Sequence, residues 1–349
     1  MRFERTITVV GCQVGGEENN VITGGVLPPP GDTVFAQKRW LETEGDWLRR
    51  WLLLEPRGKP TSCVNLVVPA RDPRADAGFI IMESTDYPPM SGSNTICTTT
   101  VLLETGMLPM CEPQTRLTLE SPAGLVSVVA TCRDGKVTAV RFTNVPAFAT
   151  HLGVAVEVPG LGTVSVDVAY GGAFFALVDA ATLGFALEPS EARELVEVGQ
   201  RIKAAAAEQI PVVHPENPDI HTITFTEFTG PFAGPGRDSA NAVVVSPGRI
   251  DRSPCGTGTS ARLAVLHARG ALAVGEGFTH TSLIGSRFEA AIVDRCEVGP
   301  HRAVSTTIAG QAWVTGIFQH GYDPSDPFRD GYTLSDLWLE SSVGGPRSG

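Results

Sequence analysis

The sequence contains one short element twice, at positions 164 residues apart. Residues 91–108 read SGSNTICTTTVLLETGML, and residues 255–272 read CGTGTSARLAVLHARGAL. The identical pairs are Gly92/Gly256, Thr95/Thr259, Val101/Val265, Leu102/Leu266, Gly106/Gly270 and Leu108/Leu272. The offset is close to half of the 349-residue chain, whereas short repeat arrays have periods of about 20–50 residues. The sequence therefore predicts the duplication of a whole domain.

Both copies have the pattern of a helix that follows a small polar residue and stops at a glycine. The predicted helices are residues 92–105 and 256–269, with Gly106 and Gly270 as their stop signals. Most other apolar runs are short, β-branched and bounded by turn residues, as in CVNLVVP at 63–69. We therefore expect an α+β fold that is mostly sheet, with one central helix in each half.

The boundary between the halves is predicted near residues 150–165. We assign residues 1–155 to an N-terminal pseudo-repeat domain that carries Ser91, and residues 156–349 to a C-terminal one that carries Cys255. The last ~30 residues are allowed to pack back on the first domain.

Composition and charge argue against several classes of partner. The chain has 27 basic and 38 acidic residues, whereas nucleic-acid binding needs a basic face. The N-terminus MRFERTITVVGC lacks the apolar run of a signal peptide, and no stretch approaches the ~18 apolar residues of a membrane helix. The seven cysteines include no CxxC pair, so neither a zinc ribbon nor a disulfide framework is expected. We expect a cytoplasmic protein without nucleic-acid or membrane partners.

The two copies differ in chemistry at their first residue, which is Ser91 in one and Cys255 in the other. A helix N-terminus has unpaired N–H groups and about half a positive charge, which stabilise a bound carboxylate and lower the pKa of a cysteine from about 8.5. Gly92 and Gly256 let the backbone approach a ligand closely. Either residue alone would be structural, since serine is a common N-cap and cysteine is often a small buried residue. The duplication and the unusual cysteine cap favour a reactive pair.

Two such N-termini that faced each other would place a proton acceptor on one side of a small carboxylate substrate and a donor on the other. This arrangement moves an α-proton without a cofactor. Asp251, four residues before Cys255, is interpreted either as a ligand of a substrate nitrogen or as the cap of a turn. His221 is interpreted either as a residue that lines the cleft or as a structural histidine at a strand start.

Five segments resemble the proline racemase family. MESTDYPPMSGSNTICTTTVLLETGMLP and DRSPCGTGTSARLAVLHARGAL are similar to its two active-site motifs. VDVAYGGAFFALVD and SLIGSRFEAAIV are similar to two further family segments, and VITGGV with KRWLETEGDWLRRWLLLEPRG to its N-terminal region. The resemblance covers nearly the whole chain, and its paired motifs are specific.

The resemblance implies a cofactor-independent enzyme with two pseudo-symmetric diaminopimelate-epimerase-like domains. Each domain would be a curled, mostly antiparallel sheet around a central helix, with the active site between the domains. The resemblance also implies that Ser91 and Cys255 are the acid/base pair. The residues implied to contact the substrate are Gly92, Ser93, Asp251, Gly256, Thr257 and His221. Neither a cofactor nor a metal is expected.

Two positions depart from the family pattern. Proline racemases have cysteine at both reactive positions and CGH at the first, where this chain reads Ser91-Gly92-Ser93. The family also has a histidine in its N-terminal segment, where this chain has Gln13. Members with a Ser/Cys pair resemble trans-3-hydroxy-L-proline dehydratases, some with weaker 4-hydroxyproline 2-epimerase activity. A Cys/Cys proline racemase is therefore not expected.

Three functional hypotheses follow from the Ser/Cys pair. The first is dehydration of trans-3-hydroxy-L-proline to Δ1-pyrroline-2-carboxylate, because elimination from one enantiomer needs one base, whereas racemisation needs a base on each face. The second is 4-hydroxyproline 2-epimerisation as the main activity, and the third is a non-catalytic protein that binds proline derivatives. Acidity favours Cys255 as the base. The family's Cys/Thr dehydratases instead keep their cysteine at the first position, which would set Ser91 on the α-proton face of the L-substrate. Both assignments therefore stay open. The expected partner is a hydroxyproline; whether the chain forms a homodimer is also left open.

Overall fold

The computed structural model describes residues 3–338 and 342–343. The chain divides into two compact units: unit 1 is Met1–Phe142 with Gln311–Gly349, and unit 2 is Thr143–Gly310. The boundary predicted between residues 155 and 156 falls inside the strand Ala147–Val158. That strand pairs with Gly162–Tyr170 along most of its length, so a division at residue 155 would cut through a hairpin.

Unit 1 begins with a segment of alternating strands and helices. Its elements are β1 (Arg5–Val14), β2 (Glu17–Gly24), α1 (Val34–Thr43), α2 (Trp47–Leu53), β3 (Ser62–Val68), β4 (Ala77–Met82), α3 (Gly92–Glu104), β5 (Gln114–Ser121), β6 (Gly124–Arg133) and β7 (Lys136–Thr143). Helix α3 contacts β1, β2, β3 and β6. All of its residues from Gly92 to Leu103 are buried, so α3 is the central helix of unit 1.

Unit 2 likewise combines strands with helices. Its elements are β8 (Ala147–Val158), β9 (Gly162–Tyr170), β10 (Phe174–Asp179), α4 (Ala192–Gln209), β11 (Ile223–Thr229), β12 (Asp238–Val245), β13 (Arg249–Ile250), α5 (Gly256–Ala268), β14 (Gly277–Thr281), β15 (Arg287–Val298) and β16 (His301–Gly310). Two short 3₁₀ turns, Ala180–Leu183 and Pro189–Glu191, precede α4.

The strand pairings of unit 2 form a closed ring. The ring runs β8-β9-β10-β11-β12-β14-β15-β16 and returns to β8. Only the pairs β10–β11 and β12–β14 in this ring are parallel. Helix α5 contacts strands on opposite sides of the ring, among them β8, β10 and β15. The central helix is therefore enclosed by a sheet that leaves no free edge along this ring.

The remaining described residues belong to unit 1. They form β17 (Ala312–Tyr322), β18 (Tyr332–Thr333) and β19 (Ser342–Val343). Strand β17 pairs antiparallel with β1 from Arg5↔Tyr322 to Val14↔Ala312. Trp51 is 1% exposed, and its ring packs edge-on against the Tyr322 ring with 5.4 Å between the ring centroids. The sheet and the core of unit 1 therefore use residues from both ends of the described chain.

The two units repeat one order of strand pairings. In unit 1, β2–β3 is parallel, β3–β4 antiparallel, β4–β5 parallel and β5–β6 antiparallel. In unit 2, β10–β11, β11–β12, β12–β14 and β14–β15 follow the same sequence. The predicted α+β fold, with a mostly antiparallel sheet around one central helix in each repeat, is confirmed.

The predicted starts of the two central helices and the glycines that follow them are also confirmed, and each helix ends one residue before its predicted end, at Glu104 and Ala268. Helix α3 begins at Gly92 and α5 at Gly256. Just beyond their last turns, Gly106 and Gly270 have φ of +73° and +71°. This left-handed conformation is the one that glycine adopts at low cost at a helix C-terminus.

Candidate active site

Ser91 is the N-cap residue of α3, as the sequence predicts. Its backbone is extended, with φ −152° and ψ 129°, and its carbonyl accepts a hydrogen bond from the Thr95 N–H at 3.0 Å. Its hydroxyl does not cap the backbone of the helix. Instead, Asn94 Nδ2 donates to Ser91 Oγ at 2.9 Å, and Ser93 Oγ lies 3.3 Å away. The hydroxyl is therefore held by side chains rather than by the helix N-terminus.

Asn94 is itself held by a second buried amide. Asn65 Nδ2, on β3, donates to Asn94 Oδ1 at 2.7 Å and to the backbone carbonyl of Asn20 at 3.2 Å. Both Asn65 and Asn94 are 0% exposed. Sequence reasoning missed these two residues, although the aligned copies carry a signal: the position of Asn94 in the first copy is Gly258 in the second.

Cys255 is the N-cap residue of α5, again as the sequence predicts, but its surroundings differ from those of Ser91. Its Sγ accepts a hydrogen bond from the Gly258 N–H at 3.4 Å and lies 3.5 Å from Thr257 Oγ1. Its backbone has φ +61° and ψ 111°, a region that costs a non-glycine residue about 1–3 kcal/mol. The surrounding fold therefore holds the Cys255 backbone in a strained conformation, with the thiol over the first turn of α5.

The environment of Cys255 raises the pKa of its thiol well above the ordinary value. Burial is the main cause, since Cys255 is 8% exposed, and the negative charge of Asp251 is the next. Hydrogen bonds from Thr257 and Gly258 oppose this shift but are smaller. The expectation that the helix N-terminus lowers this pKa is therefore wrong: desolvation and a neighbouring carboxylate outweigh the hydrogen bonds that the first turn of α5 gives to the thiol.

Asp251 is connected to Cys255 through one serine. Asp251 Oδ1 accepts hydrogen bonds from the Ser253 N–H and the Ser253 hydroxyl, both at 2.9 Å. Ser253 Oγ in turn accepts from the Cys255 N–H at 3.1 Å. Burial raises the pKa of Asp251, while Arg249 and Ser253 partly offset that shift. Asp251 thus shapes the turn before α5, and its charge acts on the thiol.

The other residues predicted to contact the substrate lie in the first turns of the two central helices, except His221. Gly92 and Ser93 form the first turn of α3, and Gly256 and Thr257 form the first turn of α5. His221 is exposed just before β11, with Nδ1 3.0 Å from the Asp219 carbonyl. Within the described residues the structure does not place His221 in the hydrogen-bonded cluster around Cys255.

A buried polar cluster lies behind the first turn of α5, and sequence reasoning missed it. Glu227 Oε1 accepts from Asn241 Nδ2 at 3.2 Å and lies 3.6 Å from His280 Nε2. Burial raises the pKa of Glu227 to about 7, against the lowering effects of Asn241 and Arg262. Burial and the charge of Arg262 hold the pKa of His280 well below its usual value. Near neutral pH the cluster therefore contains a neutral imidazole and a carboxyl close to its titration midpoint.

Residues 3–338 and 342–343 contain no group of three or more histidine, cysteine, aspartate or glutamate side chains that could hold a metal ion. None of the helices in the same part of the chain is long and apolar enough to span a membrane.

Known proteins resemble the chain in both sequence and structure. A family model described as proline racemase matches residues 9–333. A hydroxyproline epimerase from Agrobacterium vitis, solved with bound trans-4-hydroxy-L-proline, is 44% identical, with a TM-score of 0.89 over 97% of this chain and 98% of that one. A probable proline racemase from Agrobacterium radiobacter K84, solved with bound carbonate, is also 44% identical, with a TM-score of 0.89 over 95% and 98%.

A more distant likeness concerns the fold alone. A phenazine biosynthesis protein of the PhzF family from Bacillus anthracis is 12% identical, with a TM-score of 0.57 over 92% of this chain and 99% of that one. This likeness agrees with the diaminopimelate-epimerase-like fold. The family match over most of the chain, together with 44% identity to two solved structures, shows that the chain belongs to the proline racemase family, a family of enzymes.

Proposed function

We propose that this protein catalyses cofactor-independent transfer of the α-proton of a hydroxyproline, with Ser91 and Cys255 as the acid/base pair. One observation carries the proposal: each of the two repeats places a proton-bearing side chain at the N-cap of its central helix. The unpaired N–H groups of such helix ends suit the carboxylate of an amino acid. They would also stabilise the negative charge that spreads into this carboxylate when the α-proton leaves.

Epimerisation of 4-hydroxyproline at C2 is the first candidate outcome. The 44% identity to a hydroxyproline epimerase over 97% of the chain supports this outcome more than it supports dehydration. In this reaction one residue removes the proton of the Cα–H bond, and the other gives a proton to the opposite face of the same carbon. The reverse direction exchanges the two roles, so both Ser91 and Cys255 must act as bases in turn.

Dehydration of trans-3-hydroxy-L-proline is the second candidate, and the surroundings of Ser91 favour it. Asn94 donates to Ser91 Oγ, and a hydroxyl without an activating base is a poor proton acceptor. Elimination needs only one base: the Cα–H and C3–O bonds break, a C2=C3 double bond forms, and the hydroxide leaves as water with a donated proton. The Δ2 product then tautomerises to Δ1-pyrroline-2-carboxylate.

A single NMR experiment in D2O distinguishes these outcomes. The purified chain is incubated separately with trans-4-hydroxy-L-proline, trans-3-hydroxy-L-proline and L-proline, with Cys255→Ala as the matched control. Deuterium at Cα with inversion of the 4-hydroxy substrate indicates the epimerase. Loss of the 3-hydroxy substrate with appearance of pyrroline-2-carboxylate indicates the dehydratase. Absence of exchange in all three, combined with calorimetric binding of pyrrole-2-carboxylate, would leave a non-catalytic binding protein and refute the proposal.

A further inference from the structure

The side-chain amides of Asn65 and Asn94 connect the Asn20 carbonyl to Ser91, and only one orientation of each amide satisfies these hydrogen bonds. A backbone carbonyl can only accept a hydrogen bond, so the Asn65 side chain must turn its NH2 group toward the Asn20 carbonyl, 3.2 Å away. The same NH2 group then donates to Asn94 Oδ1 at 2.7 Å. Asn94 must therefore turn its own NH2 group toward Ser91 Oγ, at 2.9 Å. The Asn20 backbone carbonyl thus determines which group faces the serine.

This orientation determines what the Ser91 hydroxyl can do. Asn94 Nδ2 is a donor only, so it cannot accept the hydroxyl proton of Ser91. The proton is left to point toward Ser93 Oγ, 3.3 Å away, or toward a ligand. An alkoxide at Ser91 would receive the Asn94 N–H as a charge-assisted hydrogen bond, which is shorter and stronger than a neutral one.

The second repeat has no such amide. At the position of Asn94 it has Gly258, which offers only its backbone N–H to Cys255 Sγ at 3.4 Å. In the first repeat the Ser91 side chain makes no bond to the helix backbone. The hydroxyl, which is the weaker acid, therefore has an amide side chain as its donor, whereas the more acidic thiol has only the Thr257 hydroxyl and the Gly258 N–H beside it.

The geometry points to Asn94, held by Asn65, as a positioning residue that directs the Ser91 proton toward the substrate and stabilises the oxygen that remains. This inference rests on the proposed function. When Ser91 Oγ gives its proton to Cα or to the departing hydroxide, the O–H bond breaks and the electron pair stays on Oγ, which accepts a hydrogen bond from the Asn94 N–H. When Ser91 Oγ takes a proton, the same steps run in reverse.

A thiol probe tests this inference without any need for catalysis. The probe variant is Ser91→Cys/Cys255→Ser, and its partner carries Asn94→Ala as well. The pH dependence of iodoacetamide alkylation is followed by mass spectrometry of the peptide that contains residue 91. Loss of the Asn94 donor should raise the half-maximal pH by about one unit, because the donor favours the thiolate. Gln37→Ala is the matched control, since Gln37 is a fully buried amide of unit 1 that donates to the Pro29 carbonyl at 2.9 Å; it should leave the half-maximal pH unchanged.

Kinetics provide the second arm. In the enzyme that retains Ser91 and Cys255, Asn94→Ala should lower kcat for α-proton exchange about 10–100-fold and change KM less than about 2-fold. The same substitution added to Ser91→Cys should cost less than about 3-fold, because a thiol needs less assistance. An alkylation profile that does not move, or equal kinetic losses in both backgrounds, would overturn the inference. A protein without any exchange would instead refute the proposed function, and the thiol probe would still decide the role of Asn94.

Discussion

Glu227 occupies the space that a side chain at position 258 would need. An ideal Cβ on Gly258 would lie 2.9 Å from Glu227 Oε2, closer than real Cβ atoms come to other groups. Gly258 is also the residue whose N–H reaches Cys255 Sγ. Gly258 therefore leaves room for a buried carboxyl and also donates the hydrogen bond to the thiol. The first repeat has Asn94 at the equivalent position.

Gly258→Ala should destabilise the protein by about 1–3 kcal/mol, because overpacking against a buried group forces neighbouring atoms to move. Urea denaturation followed by circular dichroism measures the change. Gly277→Ala is the control: a Cβ there meets nothing within 4 Å, and its φ is not positive. The control should change the free energy of unfolding by less than about 0.5 kcal/mol. Equal stability of the two variants would show that Glu227 moves away from the new Cβ without a loss of folding free energy.

Glu227→Gln should remove a pH dependence of stability. The pKa of Glu227 rises from 4.5 to about 7 on folding, so the folded state keeps a proton that the unfolded state has already lost. Wild-type stability should therefore fall as the pH rises from about 4.5 to about 7, by up to about 3 kcal/mol.

The measurement is the free energy of unfolding at pH 5 and pH 8. The loss between the two pH values should be smaller by about 2–3 kcal/mol in Glu227→Gln than in the wild type. Glu208→Gln, on the exposed face of α4, should keep the wild-type dependence. An unchanged dependence in Glu227→Gln would show that this carboxyl is already ionised below pH 5.

The thiol of Cys255 should react slowly with iodoacetamide at neutral pH, since burial and the charge of Asp251 raise its pKa. Asp251→Asn removes the charge and should move the alkylation profile of Cys255 toward lower pH. Asp294→Asn, which removes an exposed charge from β15, should leave the profile in place. The peptide that contains Cys255 is quantified by mass spectrometry across the pH range. A profile that moves upward in Asp251→Asn would contradict the role of this charge.

Ser91→Cys should increase α-proton exchange, because a thiol supplies a much better base than a hydroxyl at the first position. We expect at least about a 10-fold faster wash-in of deuterium at Cα of trans-4-hydroxy-L-proline, with inversion. Ser91→Ala, the matched control, should lose at least about 100-fold of the exchange. If Ser91→Cys exchanges no faster than the wild type, then Ser91 does not limit proton transfer.

Local sequence signals predicted the parts of the site that depend on local structure. Ser91 and Cys255 stand at helix N-caps and Gly106 and Gly270 follow the last turns, as expected. These features depend on the conformational preferences of a few adjacent residues, so they can be read from short stretches. The boundary between the units could not be read from a short stretch, because it depends on which strands pair, and β8 pairs with β9 beyond residue 155.

The sequence by itself determined the duplication, the α+β class, the Ser91 and Cys255 N-caps of the two central helices and, through its motifs, the family. Only the tertiary structure decided what surrounds the caps. Asn65 reaches Asn94 from a strand 29 residues earlier, and Glu227 meets His280 from a different strand of the ring. The pKa of Cys255 is raised rather than lowered for the same reason. Burial and charge act through space, and the groups that produce them are brought together only when distant parts of the chain pack against one another.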